Sequence, residues 1–149
     1  MILFSSLNIT ASALTAQRLR MDVISSNIAN ADTTRANYVN GEWVPYQRKT
    51  VVLQPKEGSF SSYLNKAMDK SEAVEGVAVT RIIEDQTPFK LVFNPEHPDA
   101  NEEGYVQLPN VDPLREMVDL ISATRSYEAN VTSFNASKSM LMKALEIGK

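Results

Sequence analysis

Leu7, Leu14, Met21 and Ile28 stand seven residues apart, and Ile9, Ala16 and Val23 form a second line at the same interval. On an α-helix, at about 100° per residue, an offset of two positions carries the second line almost to the opposite side of the first. Leu3 and Ile24 back the first line. A helix that is apolar on two opposite sides, with small residues between, is not satisfied by one packing partner. A chain of 149 residues has little material to wrap such a helix. The pattern therefore favours burial among several subunits.

Glycine and proline divide the rest. Residues 1–34 contain neither and carry few charges (Arg18, Arg20, Asp22, Asp32), whereas residues 35–112 hold six of the seven prolines and four of the five glycines. Residues 113–149 have Pro only at Pro113 and Gly only at Gly148. The expected fold class is α+β: long N- and C-terminal helices paired as a coiled-coil-like bundle, with a small β-rich middle segment.

The C-terminal helix opens at Asp112-Pro113, where Asp accepts from free amides at the N-cap and Pro fits the first turn. Gly148 suits the position just past its end. Between them run Leu114, Met117, Ile121, Thr124, Tyr127, Val131, Phe134, Leu141 and Leu145, with Lys138 breaking the line. The mean spacing, a little under 3.5, favours a left-handed supercoil with a partner. Some 35 residues at a rise of 1.5 Å make a rod of roughly 50 Å, longer than a small core requires. Expected assembly positions are Leu7, Leu14, Met21 and Ile28 on the first helix, and Leu114, Ile121, Val131, Phe134, Leu141 and Leu145 on the second.

In the middle, strands are expected over Trp43–Leu53 after the turn signal Asn40-Gly41, over Val77–Ile83, over Phe89–Phe93 and over Tyr105–Leu108. Period-two alternation puts Phe89, Leu91 and Phe93 on one face. Residues 54–76, whose Lys56–Glu75 stretch is charged and serine-bearing, are expected to be a mobile loop. About 75 residues of this kind bury only a marginal core unaided.

Composition excludes much chemistry. Without cysteine there is no disulfide, thiolate nucleophile or zinc–sulfur site, and one histidine excludes multi-histidine metal centres. The glycines are too dispersed for a Walker or dinucleotide-binding loop. A net charge of −3 and sparse basic residues such as Arg48-Lys49 argue against nucleic acid. No cofactor is expected. His97, near Glu96, Asp99, Glu102 and Glu103, can be written as a metal site, but a proline-fixed surface turn explains it more simply. Ser, His and Asp all occur, yet no nucleophile elbow supports a triad. The first positive residue is Arg18, so no secretory n-region precedes it, and no apolar run approaches membrane-spanning length. The helices also lack the basic face and aromatic anchors of surface-lying membrane helices. By the ordinary rules the chain stays soluble where it is made, unless an uncleaved export route carries it.

Specific runs then carry a resemblance. Ser25-Ser26-Asn27-Ile28-Ala29-Asn30-Ala31-Asp32-Thr33-Thr34-Arg35 resembles the signature that closes the N-terminal helix of bacterial flagellar rod and hook proteins. The run Phe93–Ala100, with Pro95, His97 and Pro98, resembles one member of that family, a basal-body rod protein. So do Glu103–Val106, with Gly104 and Tyr105, and Leu108–Val111, with Pro109 and Asn110. Glu116–Val118 and Ala123–Val131, which includes Tyr127 and Asn130, continue the likeness into the last helix. Asn40–Pro45 is longer than the usual Gly-Gly-Pro-Tyr-like turn, a departure from the pattern. The resemblance implies a non-enzymatic subunit of the proximal rod, the drive shaft crossing the cell envelope, with its terminal helices lining the export channel. It also implies export through the flagellar type III apparatus without a cleaved signal. The implied partners are copies of itself, other rod proteins and the hook–basal body junction protein, with no nucleic acid and no direct membrane insertion.

Asn27 and Asn30 suit capping at the helix end. Arg125 and Glu128 suit ion pairs between subunits, which contribute specificity more than strength. Two other readings remain at this point: a soluble coiled-coil adaptor or secretion chaperone, and a small enzyme built on His97.

Overall fold

The computed structural model describes residues 2–39, 41–56, 67–68 and 76–147. Helix α1 (Ile2–Ala29) is followed by strands β1 (Asn37–Val39), β2 (Glu42–Val44), β3 (Lys49–Pro55), β4 (Val77–Glu84), β5 (Lys90–Phe93) and β6 (Tyr105–Leu108). Helix α2 (Pro113–Ile147) closes the chain. This is an α+β fold, with a helix at each end of the chain and small strand pairs between them in sequence. No helix among the described residues is long and apolar enough to cross a membrane.

Both helix boundaries have local causes. The α2 start is capped as the Asp-Pro pair predicts, with the Leu114 N–H donating to Asp112 Oδ1 at 3.1 Å and the Glu116 N–H to the Asp112 carbonyl at 3.0 Å. Helix α1 stops at Ala29, and the next turns are held by the Ala31 N–H on the Ile28 carbonyl and the Thr33 N–H on the Asn30 carbonyl. The Asn30 side chain donates to the Ser26 carbonyl at 2.9 Å and accepts from Thr33 Oγ1, satisfying the last turn. Gly148 lies outside the described residues, as do most of the expected 54–76 loop and Asn40.

The strands form three two-stranded sheets, β1-β2, β3-β4 and β5-β6. The stretch read as one strand over Trp43–Leu53 is divided between β2 and β3. Pro45 is the cause, since it has no N–H to extend a ladder and the chain leaves the sheet there. Its first half instead pairs back with β1, Tyr38 opposite Trp43, across a turn in which Gly41 has φ +94°. In the β5-β6 hairpin Phe93 opposes Tyr105 and Val92 opposes Val106. Gly104, at φ +80°, is required there twice over: a Cβ on it lies 3.0 Å from the Phe93 ring and 3.2 Å from Pro95.

The chain divides into two compact units. One comprises Met1–Leu19, Val52–Arg81 and Ala123–Lys149, and both terminal helices contribute to it. In it, Gly76 lets the chain pass against α1, where the Val77 N–H donates to Ser12 Oγ at 3.0 Å and Ser12 Oγ donates to the Ile9 carbonyl. The other comprises Arg20–Val51 and Ile82–Ser122. Its buried apolar residues are few, Val23, Ile24, Tyr46, Val106 and Val111, and two polar ones, Asn27 and Glu116, lie among them.

Candidate assembly surface and its polar clamp

The most apolar line of α2 is not its most buried one. Glu116 and Ala123 are fully buried and Ser137 nearly so, each seven residues from the next site on a line that also carries Asn130. Tyr127, Phe134 and Leu141 flank that line, half-buried. Leu114, Met117, Val118 and Ile121 are exposed by 75%, 49%, 66% and 54%. At spacings i, i+3, i+4 and i+7 they make one helical stripe. Leu145 and Ile147 are exposed at the other end. Of the expected assembly residues, Leu114, Ile121 and Leu145 therefore face outward, and Val131, Phe134 and Leu141 are half-buried. On α1, Leu7, Leu14, Met21 and Ile28 are all half-buried, while Ala16 and Val23 of the second line are buried. Contiguous exposed apolar surface of this kind is a candidate interaction site.

Beneath the outer stripe sits a polar clamp. Asn27, with 1% of its surface exposed, uses every hydrogen-bonding position it has. Its Nδ2 donates to the Lys49 carbonyl and to Glu116 Oε2, each at 2.9 Å. Its Oδ1 accepts from the Lys49 N–H at 2.9 Å and the Tyr46 hydroxyl at 3.0 Å. One side-chain amide thus pairs with both backbone groups of Lys49, as a neighbouring strand does. Expected to cap the helix end, Asn27 instead holds the chain entering β3 and the first turn of α2; Asn30 alone does the capping.

Glu116 is held from the other side by Arg48, whose Nε donates to Oε1 at 2.6 Å. The carboxylate lies in the first turn of α2, where the helix dipole favours negative charge. Arg48 also reaches Asp85 at 3.4 Å and Asp119 at 3.7 Å. Burial works against the Arg48 charge, but Glu116 and then Asp85 outweigh it and hold the guanidinium above its already high ordinary value. The Asp85 carboxyl is held below the ordinary range by the hydroxyl and N–H of Thr87, with Arg48 adding to the effect. Asn110 completes the clamp: its Oδ1 accepts from the Arg48 N–H at 2.7 Å, and its Nδ2 donates to the Asp85 and Thr87 carbonyls. Pro109 beside it is fully buried.

The signature closing α1 is also tied to the proline-rich loop. Thr34 Oγ1 and Arg35 Nε donate to the two oxygens of Asp99, at 2.8 and 2.6 Å. These bonds, Arg35 first, hold the Asp99 carboxyl below the ordinary range. His97 Nδ1 accepts the Asp99 N–H at 3.1 Å across the exposed Pro98. Among the described residues no group of three His, Asp or Glu side chains converges as a metal site. Asn101 Oδ1 accepts the Glu103 and Tyr105 N–H groups around the buried Gly104. The Ser26 hydroxyl lies 3.4 Å from the Tyr46 hydroxyl, and Ala29 is exposed. The half-buried Asn130 donates to the Ser126 carbonyl one turn back.

The structure therefore gathers Ser26, Asn27 and Asn110 in one place, and joins Thr34 and Arg35, but not Thr33, to the His97 loop. Tyr46, Arg48 and Glu116 carry the clamp equally but do not stand out in the sequence. The one available signal is Glu116 itself, an ionisable residue seven positions before Ala123 on the inward line of a helix.

Comparison with known proteins gives a consistent result. Residues 7–36 match the family model described as flagella basal body rod protein, and residues 102–147 match the one described as flagellar basal body rod FlgEFG protein C-terminal. The chain is 69% identical over its whole length to the flagellar basal-body rod protein FlgC of Bacillus subtilis (strain 168), and the match also spans that protein completely. Identity to the protein of the same name in Borreliella burgdorferi is 45%, over 97% of each chain, and in Escherichia coli O157:H7 it is 43%, over all of each.

Proposed function

Because the chain belongs to the flagellar basal-body rod protein family, in its FlgC group, we propose that this structural rod subunit joins the rod by burying the exposed apolar stripes of α2 against neighbouring subunits. The Leu114, Met117, Val118 and Ile121 stripe carries this reading. Removing it from water contributes on the order of 10 kcal/mol per contact at the usual 25 cal/mol per Å², before the cost of association is subtracted. Repeated around and along an open helical array, such contacts make a stiff shaft without any single strong bond.

The neighbours are, on this reading, copies of the same chain, other rod proteins and the hook–basal body junction protein. The terminal helices line the inner tube around the export channel, the hairpins lie outside, and the shaft transmits torque. The N-terminal (1–34) and C-terminal (113–149) regions act as assembly segments and 35–112 as the outer one. Export proceeds through the flagellar type III apparatus without a cleaved signal, and the chain has no catalytic role. These finer points rest on the family resemblance. The family membership does not favour the adaptor alternative.

Leu114→Asp and Val118→Asp test the proposal cleanly, because both positions are solvent-exposed in the single copy. Each variant should fold as the parent does, by circular dichroism and urea midpoint. Neither should be recovered in purified basal bodies, because burying an unpaired carboxylate is too costly. Normal incorporation of both refutes the proposal.

A further inference from the structure

Within the unit formed by Arg20–Val51 and Ile82–Ser122, an open cleft of about 360 Å³ is lined by residues of two hairpins and the loop before β6, among them Trp43, Pro45, Tyr105, Glu42 and Asp99. Trp43 and Tyr105 are 54% and 41% exposed, and each is braced by the aromatic residue opposite it in its own hairpin. Tyr38 lies 5.1 Å from Trp43 between ring centroids, and Phe93 lies 5.3 Å from Tyr105 in an edge-to-face arrangement. Two braced aromatic rings thus stand at an open cleft with much of their apolar surface uncovered. Among the described residues, no basic side chain lines the cleft. Of its two carboxylates, Asp99 is already occupied by Arg35 and Thr34, whereas among the described residues no cation pairs with Glu42.

Aromatic walls with an unpaired carboxylate suit a cationic side chain: the ring faces attract the charge, Glu42 pairs with it, and the apolar walls cover its methylene stem. An anion is repelled by Glu42, and a purely apolar group strands that carboxylate. We propose that this cleft receives an arginine or lysine side chain of a neighbouring rod subunit. The inference rests on the assembly reading above and names one contact within it. A single contact of this kind is weak, combining one cation–π contact with one exposed ion pair. It becomes occupied in a lattice, where neighbours hold the side chain at millimolar effective concentration.

Trp43 is the chain's one tryptophan, so its fluorescence reports on the cleft directly. The intact protein is titrated with acetyl-Gly-Arg-Gly-amide, with the lysine analogue, and with the citrulline analogue, which keeps the shape and removes the charge. We expect a saturable change with the arginine and lysine peptides and none with citrulline. Glu42→Gln should weaken binding about five- to tenfold, and Tyr105→Leu should weaken it while leaving the circular dichroism unchanged. A citrulline response equal to that of arginine, no saturable response at all, or Glu42→Gln affinity within twofold of the parent overturns the site. In cells, both variants should lower incorporation into basal bodies; parental incorporation by both overturns the assignment of the partner. A failed titration leaves the apolar-stripe proposal standing, because Leu114→Asp and Val118→Asp are read by incorporation alone.

Discussion

Replacing Asn27 by Asp changes one atom group and reverses the logic of the clamp. The two Nδ2 bonds, to the Lys49 carbonyl and to Glu116 Oε2, are lost, and a second carboxylate is placed about where the amide stood, 2.9 Å from the first. Losing a neutral bond costs about 0.5–1.5 kcal/mol and losing one to a charged group about 1.5–3 kcal/mol, before the repulsion between two buried carboxylates is added. A total of about 3–5 kcal/mol at neutral pH follows, a large share of the 5–15 kcal/mol typical of a domain. Asn27→Ala loses all four bonds and should cost a similar amount, but the two variants differ in their response to acid. Protonating the introduced carboxyl restores a donor towards Glu116 and relieves the repulsion, so the Asn27→Asp deficit should shrink as pH falls from 7 to 5. The Asn27→Ala deficit should not shrink in that way. Urea unfolding of the purified chain, followed by circular dichroism at both pH values, reads the difference. A neutral-pH cost below about 1 kcal/mol, or parallel pH behaviour of the two variants, refutes the argument that Asn27 is the saturated centre of the clamp.

Arg48→Met should destabilise the chain by about 3–5 kcal/mol, since Glu116 stays buried without its cation, and adding Glu116→Gln should recover part of the loss; additive costs by urea midpoint contradict the pairing. Gly104→Ala should cost about 2 kcal/mol or more, because a positive φ and the Phe93 ring both oppose the new Cβ, whereas Gly41→Ala, in open space, should cost about 1 kcal/mol. Equal thermal shifts for the two glycine variants contradict this. Asp85 and Asp99 are both held below the ordinary carboxylate value of 3.8, so the stability they provide is complete above that pH and is lost as pH falls beneath it. Unfolding midpoints measured between pH 5 and 3 should show the fall, and Asp99→Asn should flatten part of it.

What the sequence made legible was what depends on near neighbours. Asp112-Pro113 marked the start of α2 correctly because capping is a contact over two to four residues. The period-two run at Phe89–Phe93 and the short run at Tyr105–Leu108 marked β5 and β6 for the same reason. Pro45 was visible but underweighted, and the strand through it is broken there. The clamp was not legible as a clamp. Asn27 and Glu116 are 89 residues apart, and Asn110 and Arg48 are 62 apart. Nothing in local periodicity says which distant amide meets which backbone group. Asn27 and Asn110 were singled out by their place in the family's motifs, without the reason. Arg48 stands out in the sequence only as one of the basic residues too sparse for nucleic acid, whereas its role is set by the buried carboxylate of Glu116. The apolar count along α2 was right in content but silent on direction: the fold turns its small and polar line inward and leaves Leu114, Val118 and Ile121 outside.

Those outward residues give the most direct test of the account, which holds that they are covered only in the assembled rod. The chain contains no cysteine, so Val118→Cys introduces a single thiol at a position 66% exposed in one copy. Maleimide labelling should be fast and complete in the free protein and strongly suppressed in intact basal bodies, while a thiol introduced at the exposed Glu103 sets the limit for simple access. Equal labelling of the position-118 thiol in the free chain and in the assembled rod contradicts the account.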